Sequence, residues 1–452
     1  MPTNNPTLLG RAPLGKLLTQ YSIPAIIGMT LTSLYNIIDS IFIGHGVGAM
    51  AISGLAITFP FMNLVTAFGV LVSAGGSTIS SIRLGQRDTE SATKVLNNTL
   101  MLCLINAVLF GGISLLFMDQ ILVFFGASEH TLPYARDFMK VILLGTPISY
   151  TMIALNNVMR ATGYPKKAML TSMVTIVCNV ILAPIFIFKL HWGIEGAALA
   201  TVISQFIGMC WVVNHFRNSK SYIHFKAPVW KLELSIIKNI FSIGMAPFLM
   251  NVCACVIVIF INNSLQHYGG DLAIGAYGII NRLSTLYVMI VIGLTMGMQP
   301  IIGYNFGALK FDRVKKTLKL GLITATTITT SGFIICEVFP HAIASLFTSE
   351  AVLIDMSVDG LRIAIAMFPF IGIQIVITNF FQSIGKAKVS VFLSLSRQLL
   401  FLLPGLILFP RYWNITGVWL SMSVSDFFAS MTAIAMLYYL IRKIQAPENS
   451  LD

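Results

Sequence analysis

Long apolar segments separated by short polar connections make up most of this chain. Their apolar positions are continuous rather than alternating. This pattern favours helices over barrel strands, because lipid offers no partner to open backbone groups. A helix needs about 20 residues to cross a hydrocarbon layer of about 30 Å, and twelve segments reach that length. The predicted spans are 17–43, 50–82, 95–118, 134–159, 168–189, 194–214, 236–263, 272–304, 317–339, 357–384, 389–410 and 415–440.

The chain contains one unit twice. Residues 48–210 return at 270–431 with a nearly fixed offset. We therefore predict an all-α integral membrane fold, with twelve transmembrane helices in two pseudo-symmetric six-helix lobes. The predicted divisions are an N-terminal lobe at 1–217, a cytoplasmic linker at 218–235 and a C-terminal lobe at 236–452. Matching pairs include Gly85 with Gly307, Asn157 with Asn379, Gly163 with Gly385, and Trp192 with Trp413.

Composition and charge support a membrane protein. Hydrophobic residues make up 56% of the chain and charged residues only 10%, against about 45 to 50% and about 25% in soluble domains. The net charge is +12, and 22 of the 29 Lys and Arg lie at the termini or in alternate connections. That alternation marks cytoplasmic loops rather than a nucleic-acid surface, and it places both termini in the cytoplasm. Contact with anionic lipid is a second expected role of these basic segments.

One carboxylate lies inside a span of the first half. Asp39 follows Asn36 and Tyr35 by three and four residues, so the three share a helical face. Its counterpart in the second half is Asn262, which keeps the polarity and loses the charge. Such a residue is either held by neighbouring amides near the interface or forms a proton or cation site. Burial would favour the neutral acid, whereas a bound cation would favour the carboxylate.

Other polar residues of the first half are candidates to surround Asp39. Asn156 or Asn157, Asn179, and Thr201 with Gln205 could supply oxygen atoms. Each alone is more typical of a packing contact between helices. Their joint occurrence in one half favours a cation or proton site.

The second half carries a different set of charges within its spans. Arg282, Arg397 and Asp426 lie in predicted spans 8, 11 and 12, and Asp426 matches Gln205 across the repeat. We favour a buried ion pair between Asp426 and one of the arginines. The alternative is a substrate cavity formed by these residues and Gln205.

Several prolines lie within or at the ends of the spans, including Pro24, Pro147 and Pro369. Proline removes a backbone donor, so these helices are expected to bend.

Four sequence strings are distinctive: YNIID at 35–39, GIEGAALAT at 193–201, PIIGYNFGA at 300–308 and SLSRQ at 394–398. With these strings the chain resembles the multidrug and toxic compound extrusion (MATE) transporters, and their MepA-like branch, close to the DinF group, in particular. The resemblance implies two six-helix lobes that rock in alternating access. It also implies export of cationic amphipathic compounds in exchange for H⁺ or Na⁺. Cation sites of the family resemble what stands here as Tyr35, Asp39, Asn179 and Thr201.

One family feature is missing. The family usually has an acidic residue four positions after the span-5 asparagine, where this chain has Ala183. Because Na⁺ prefers several oxygen ligands and more than one negative charge, this difference favours H⁺ as the coupling ion. We expect no cofactor beyond that ion.

Two other functions compete with drug export. A flippase for a lipid-linked or anionic substrate would use the same fold, with Arg282 or Arg397 facing its cavity. An enzyme is not expected, because the chain has neither a His-Glu-x-x-His nor a Gly-x-Ser-x-Gly motif. The expected partners are the lipid bilayer of the bacterial cytoplasmic membrane and small organic cations. Nucleic acid is not expected as a partner, and we expect a monomer.

Overall fold

The computed structural model describes the backbone of residues 6–46, 49–125, 127, 129, 131–219, 221–226, 231–346 and 351–445. Side chains are described for the same residues other than 6, 7, 32–41, 43–57, 259, 271 and 441–445. Within the described backbone all regular structure is helical, as the apolar pattern predicts. The helices are α1 Leu14–Gly46, α2 Ala49–Gly85, α3 Thr89–Leu116, α4 Met118–Phe124, α5 Leu132–Leu144, α6 Thr146–Ala161, α7 Pro165–Pro184, α8 Gly193–Arg217, α9 Leu234–Gly307, α10 Phe311–Val338, α11 Pro340–Ser345, α12 Ala351–Ala364, α13 Phe368–Ser383, α14 Ala387–Leu395 and α15 Leu403–Gln445.

Two of these helices are interrupted, and each contributes to two spans. Helix α9 breaks at Gly270, where φ is 65°, and α15 breaks at Trp413 and Asn414. Among the described residues, eight helices are long and apolar enough to cross a membrane, or ten with the bent pairs. Helix α1, with 33 residues, is long enough to be one further span. The break in α15 divides the last long helix into two spans. With these two additions, the helices agree with the twelve predicted spans.

Spans 4 and 10 bend at matching positions. Helices α5 and α6 meet at 54°, and α12 and α13 meet at 53°. Pro147 and Pro369 lie in the first turn of the second helix of each pair. Because proline has no N–H to donate to the preceding turn, it begins a new helix at each site.

The duplication is visible in the backbone conformation. Three repeat-related pairs of residues have positive φ: Arg87 with Leu309, Gly163 with Gly385, and Gly193 with Asn414. Each pair lies at a junction between two helical segments, where a left-handed residue redirects the chain. The same turn geometry is thus used twice.

The two halves differ in where a wider helical turn is inserted. One π-helical segment, Ile185–Lys189, lies at the end of α7. The other, Ser396–Leu402, joins α14 to α15 in the middle of span 11 and includes Arg397. A π-helical turn changes the direction of the side chains that follow it and often occurs at functional sites.

The halves meet through glycines at the end of the bundle where connections 86–88 and 308–310 lie. We call this end the basic side. Gly85 packs on the backbone carbonyl of Tyr304, and Gly307 packs on that of Ile82. Both offsets are 222 positions (307 − 85 and 304 − 82), so the two contacts are reciprocal. A methyl group at either glycine would overlap backbone atoms, so small residues permit this close approach.

Buried apolar side chains form three clusters. The first joins both halves near the basic side and includes Leu17, Leu96, Met298 and Phe381. The second lies mainly in the first half and the third in the second half, where Trp419 is 2% exposed. The shared cluster and the glycine contacts close the basic side.

Candidate functional site

Asp39, Asn36 and Tyr35 lie in helix α1. Their side chains lie outside the described residues, so the predicted cation site at Asp39 stays a prediction. Helices α7 and α8 both pack against α1. Their described polar residues are therefore the structural information available on the surroundings of Asp39.

Asn179 of α7 and Thr201 of α8 are brought together. Asn179 is 3% exposed, and its Nδ2 donates a hydrogen bond of 3.0 Å to Oγ1 of Thr201. The Thr201 hydroxyl donates in turn to the carbonyl of Ala197 at 3.2 Å. This bond joins α7 to α8 beside the helix that carries Asp39. Two of the residues that the sequence assigns to one site are thus in direct contact.

Ala183, where the family resemblance would place an acid, is fully buried. It lies one helical turn after Asn179 on α7, so the two share a helix face. The methyl group contributes no oxygen ligand. Asn179 and Thr201, the two polar side chains that meet here, are both neutral.

Asn157 belongs to a separate hydrogen-bonded group. Its Nδ2 donates to Oγ of Ser73 at 2.6 Å, and its Oδ1 accepts from NH1 of Arg160 at 3.3 Å. The bond to Ser73 joins α6 to α2, and the bond from Arg160 lies within α6. Its described partners are therefore Ser73 and Arg160 rather than Asn179 or Thr201.

Arg160 is a functional candidate that the sequence interpretation missed. Its side chain is 9% exposed, and NH1 also lies 3.6 Å from Sδ of Met296 in the second half. Among the described residues no carboxylate pairs with it. In the sequence, Arg160 directly follows the predicted span 134–159. Its charge alone therefore assigned it to a cytoplasmic connection, and its position at the end of the apolar segment was the only sign that it could be buried. Burial of the Arg160 guanidinium between the halves costs free energy. This charge therefore favours an arrangement of the two halves in which it is solvated.

Further hydrogen bonds cross between the halves. Gln299 Nε2 donates to Oγ1 of Thr78 at 2.5 Å and to Oγ of Ser77 at 3.3 Å. Ser22 Oγ donates to the Leu294 carbonyl at 3.2 Å. All three bonds join a helix of the first half to the second part of α9. They would break when the halves separate on this side.

The N-terminal segment is attached to the second half. Arg313 donates from one terminal nitrogen to the carbonyls of Leu9 and Ala12, at 3.1 and 2.7 Å. Asn305 Nδ2 donates to the Leu9 carbonyl at 2.9 Å, and Lys310 Nζ donates to that of Gly10 at 2.8 Å. The short 3₁₀ helix Pro6–Gly10 thus ties the chain start to α9 and α10 on the basic side.

Gln205 and Asp426 occupy equivalent repeat positions and have different partners. The Ser149 hydroxyl donates to Oε1 of Gln205. Asp426 is 4% exposed and accepts a bond of 2.6 Å from Nε of Arg397. The predicted ion pair between Asp426 and an arginine is confirmed, and Arg397 is the partner. Arg282 is exposed and, among the described residues, forms no ion pair.

The described residues contain no group of three or more His, Cys, Asp or Glu arranged to hold a metal ion.

Known proteins resemble the chain along almost its whole length. The family model described as MatE matches residues 24–185 and again 243–407. The multidrug export protein MepA of Staphylococcus haemolyticus is 29% identical over 436 residues, covering 96% of each chain. MepA of Staphylococcus aureus strain COL is 27% identical over 445 residues, covering 98% of this chain and 97% of its own.

Solved structures show the same fold. The MATE multidrug transporter DinF-BH has a TM-score of 0.87 at 34% identity and covers 95% of this chain and 96% of its own. A MOP superfamily transporter from Pyrococcus furiosus has a TM-score of 0.92 at 23% identity, covering 99% of this chain and 100% of its own. The second similarity shows the fold alone.

Proposed function

Since this chain belongs to the MatE family of transporters, we propose that it exports cationic amphipathic compounds in exchange for protons by alternating access of its two halves. The family match shows a MatE family member, and the multi-pass helical fold and the MepA relatives support a multidrug exporter of the cell membrane. The cargo, the coupling ion and the orientation of the termini are the proposed parts.

The cargo class is supported by the relatives. DinF-BH, at 34% identity, is a multidrug transporter, and the MepA proteins are multidrug exporters. The chain also has 31 Phe and 22 Met. Aromatic and Met side chains accommodate ligands of varied shape. We propose that these residues suit a site for many apolar cations.

The Asn179–Thr201 hydrogen bond carries the proposal of proton coupling. It places two neutral polar side chains on α7 and α8, the helices that pack against the helix of Asp39. Ala183 contributes no second carboxylate. Na⁺ is a hard cation that prefers several oxygen ligands and carboxylates, whereas a proton needs one titrating acid. We propose that Asp39 is that acid and that the neutral Asn179 and Thr201 lie beside it.

The closed basic side supports alternating access. The reciprocal glycine contacts and the bonds of Gln299 hold the halves together at one end of the bundle. We propose that this end is cytoplasmic, because the basic connections lie there. The structure would then correspond to a state closed to the cytoplasm, and rocking of the halves would open that end to substrate.

The test uses purified protein in liposomes held at an inward-acid pH gradient and challenged with ethidium. We expect the substrate to release protons from the wild type and not from Asp39→Asn. The matched control is Asp359→Asn, which changes an exposed carboxylate of the second half. Release that requires Na⁺, or that survives in Asp39→Asn, would contradict proton coupling through Asp39.

Arg160 favours a second candidate, a flippase for a lipid-linked or anionic substrate. Its buried guanidinium has no carboxylate partner among the described residues, and it lies where the halves meet. A negative headgroup would compensate this charge. Wild-type protein that releases no protons with ethidium, with or without Na⁺, yet speeds transfer of a fluorescent anionic lipid between leaflets would establish this function instead.

A further inference from the structure

We propose that a pocket on the basic side of the first half binds the phosphate headgroup of an anionic phospholipid. The pocket lies at the ends of α7 and α8 and is bordered by Asn218, Ser221 and Tyr222, which follow α8. Its volume is about 630 Å³, which suits a headgroup with its glycerol. The proposed antiport does not use this pocket.

The charge of the pocket suits an anion. Lys167 lines it together with the polar residues Asn214 and Tyr222. Lysine, asparagine and tyrosine side chains all carry hydrogen-bond donors. Among the described residues that line it there is no Asp or Glu. A phosphate would therefore meet one full positive charge and no opposing carboxylate.

The lysine is held in place by an aromatic ring. Its Nζ lies 5.2 Å from the centroid of the Tyr164 ring, within the range of a cation–π contact. This contact reduces the number of positions that the Lys167 side chain samples. The charge is thus directed towards the pocket before a ligand binds.

His215 provides an independent indication of a ligand. It lines the same pocket and is only 8% exposed, and its ring packs edge-on against Tyr164 with centroids 4.5 Å apart. Among the described residues no hydrogen-bond partner reaches its Nε2. A buried polar atom without a partner is unfavourable. Because Nε2 is itself buried, a phosphate oxygen or a water held by the headgroup would satisfy it once the ring turns towards the pocket.

Hydrogen bonds within the protein hold part of the pocket wall in place. The Ser221 hydroxyl donates to the backbone carbonyl of His215 at 2.9 Å, and the Ser221 amide donates to that of Asn218 at 3.0 Å. These bonds hold Ser221 and Asn218 against the end of α8. The protein's own hydrogen bonds therefore order this part of the pocket wall.

Aromatic residues place the pocket at a membrane interface. The side chains of Trp211 and Tyr222 are 46% and 39% exposed, and both line the pocket. Trp and Tyr favour the headgroup level of a bilayer. Basic pockets between helix ends on the cytoplasmic side bind anionic headgroups. A lipid is therefore favoured over free phosphate.

Native mass spectrometry of the purified full-length protein tests the proposal. The protein is exposed to equal amounts of phosphatidylglycerol and phosphatidylcholine, and retained lipid is counted. We expect wild type to retain phosphatidylglycerol preferentially. Lys167→Gln should reduce that retention about fivefold, the factor corresponding to about 1 kcal/mol per basic side chain at an anionic surface. The control is Lys166→Gln, which removes the adjacent exposed lysine outside the pocket and should leave retention unchanged.

A second variant tests the buried imidazole. His215→Phe keeps a ring against Tyr164 and removes the unpaired nitrogen, so we expect it to lower retention as well. Equal retention of both lipids by the wild type would overturn the proposal, as would equal losses in Lys167→Gln and Lys166→Gln. Displacement of the lipid by millimolar inorganic phosphate would assign the pocket to a free anion instead. Binding is measured without transport, so neither result depends on the proposed antiport.

Discussion

Arg397 and Asp426 form an ion pair across two spans of the second half, with Nε 2.6 Å from Oδ1. Asp426 is 4% exposed, and Arg397 lies in the π-helical segment of span 11. The wider turn places the guanidinium opposite a carboxylate 29 positions later. The first half has Gln205 at the position of Asp426 and forms a neutral contact there.

Loss of one partner of this pair should destabilise the protein strongly. We expect Arg397→Gln to cost about 3 kcal/mol, because it leaves the buried Asp426 carboxylate without its cation. The double variant Arg397→Gln with Asp426→Asn should recover most of this loss. Thermal unfolding in detergent of the wild type, the two single variants and the double variant gives the coupling free energy between the two side chains. Effects of the single variants that simply add would contradict a direct interaction.

The glycine contact should control closure of the basic side. Gly307→Ala would push a methyl group against the Ile82 carbonyl. Overpacking of this kind costs about 1 to 3 kcal/mol, so the ratio of closed to open protein should fall at least about fivefold. Spin labels on the exposed positions Gln86 and Lys316, in a chain without its six cysteines, report the distance between the halves. Gly112→Ala is the control, since open space surrounds Gly112.

The attachment of the N-terminal segment should depend on Arg313. Its side chain holds the carbonyls of Leu9 and Ala12, and each such bond contributes about 0.5 to 1.5 kcal/mol. Arg313→Gln should therefore detach the segment and speed trypsin cleavage at Arg11 about tenfold. Lys319→Gln, an exposed change on the same helix, should leave the rate unchanged. Equal cleavage rates in all three proteins would show that Arg313 does not anchor the segment.

The bond between α7 and α8 should matter for transport. Thr201→Val keeps the shape of the side chain and removes the hydroxyl that accepts from Asn179. We expect coupled proton release to fall at least about fivefold with little change in thermal stability. The control is Thr175→Val on α7, because that hydroxyl donates within its own helix, to the Thr171 carbonyl. Full activity of Thr201→Val would exclude a role for this bond in coupling.

The N-terminus of α3 should show a measurable pH dependence. Asp88 accepts from the Ser91 amide at 2.9 Å, and hydrogen bonds from the Ser91 hydroxyl and then its amide hold the pKa of Asp88 below its usual range. A lowered pKa in the folded state adds stability above the unfolded pKa and loses it as pH falls through the folded pKa. Asp88→Ala should cost about 1 kcal/mol at neutral pH. Asp88→Asn should keep most of the cap and lose the pH dependence, which thermal unfolding at pH 3 to 7 would detect.

The sequence by itself determined the fold class and the duplication. Continuous apolar runs of the right length can satisfy their backbone in lipid only as helices, and the 222-residue offset relates Gly85 to Gly307 before any coordinates are known. The pairing of Asp426 with an arginine was also predictable, because a buried carboxylate needs compensation. The prolines at 147 and 369 indicated the two bends.

Only the tertiary structure decided which residues meet. It selected Arg397 over Arg282 as the partner of Asp426, because the rotation of each helix and the inserted π-helical turn decide which side chains face each other. It also buried Arg160 against Met296, 136 positions away in the other half. Spacing along the chain reports the face of one helix, whereas contacts between helices depend on how those faces pack.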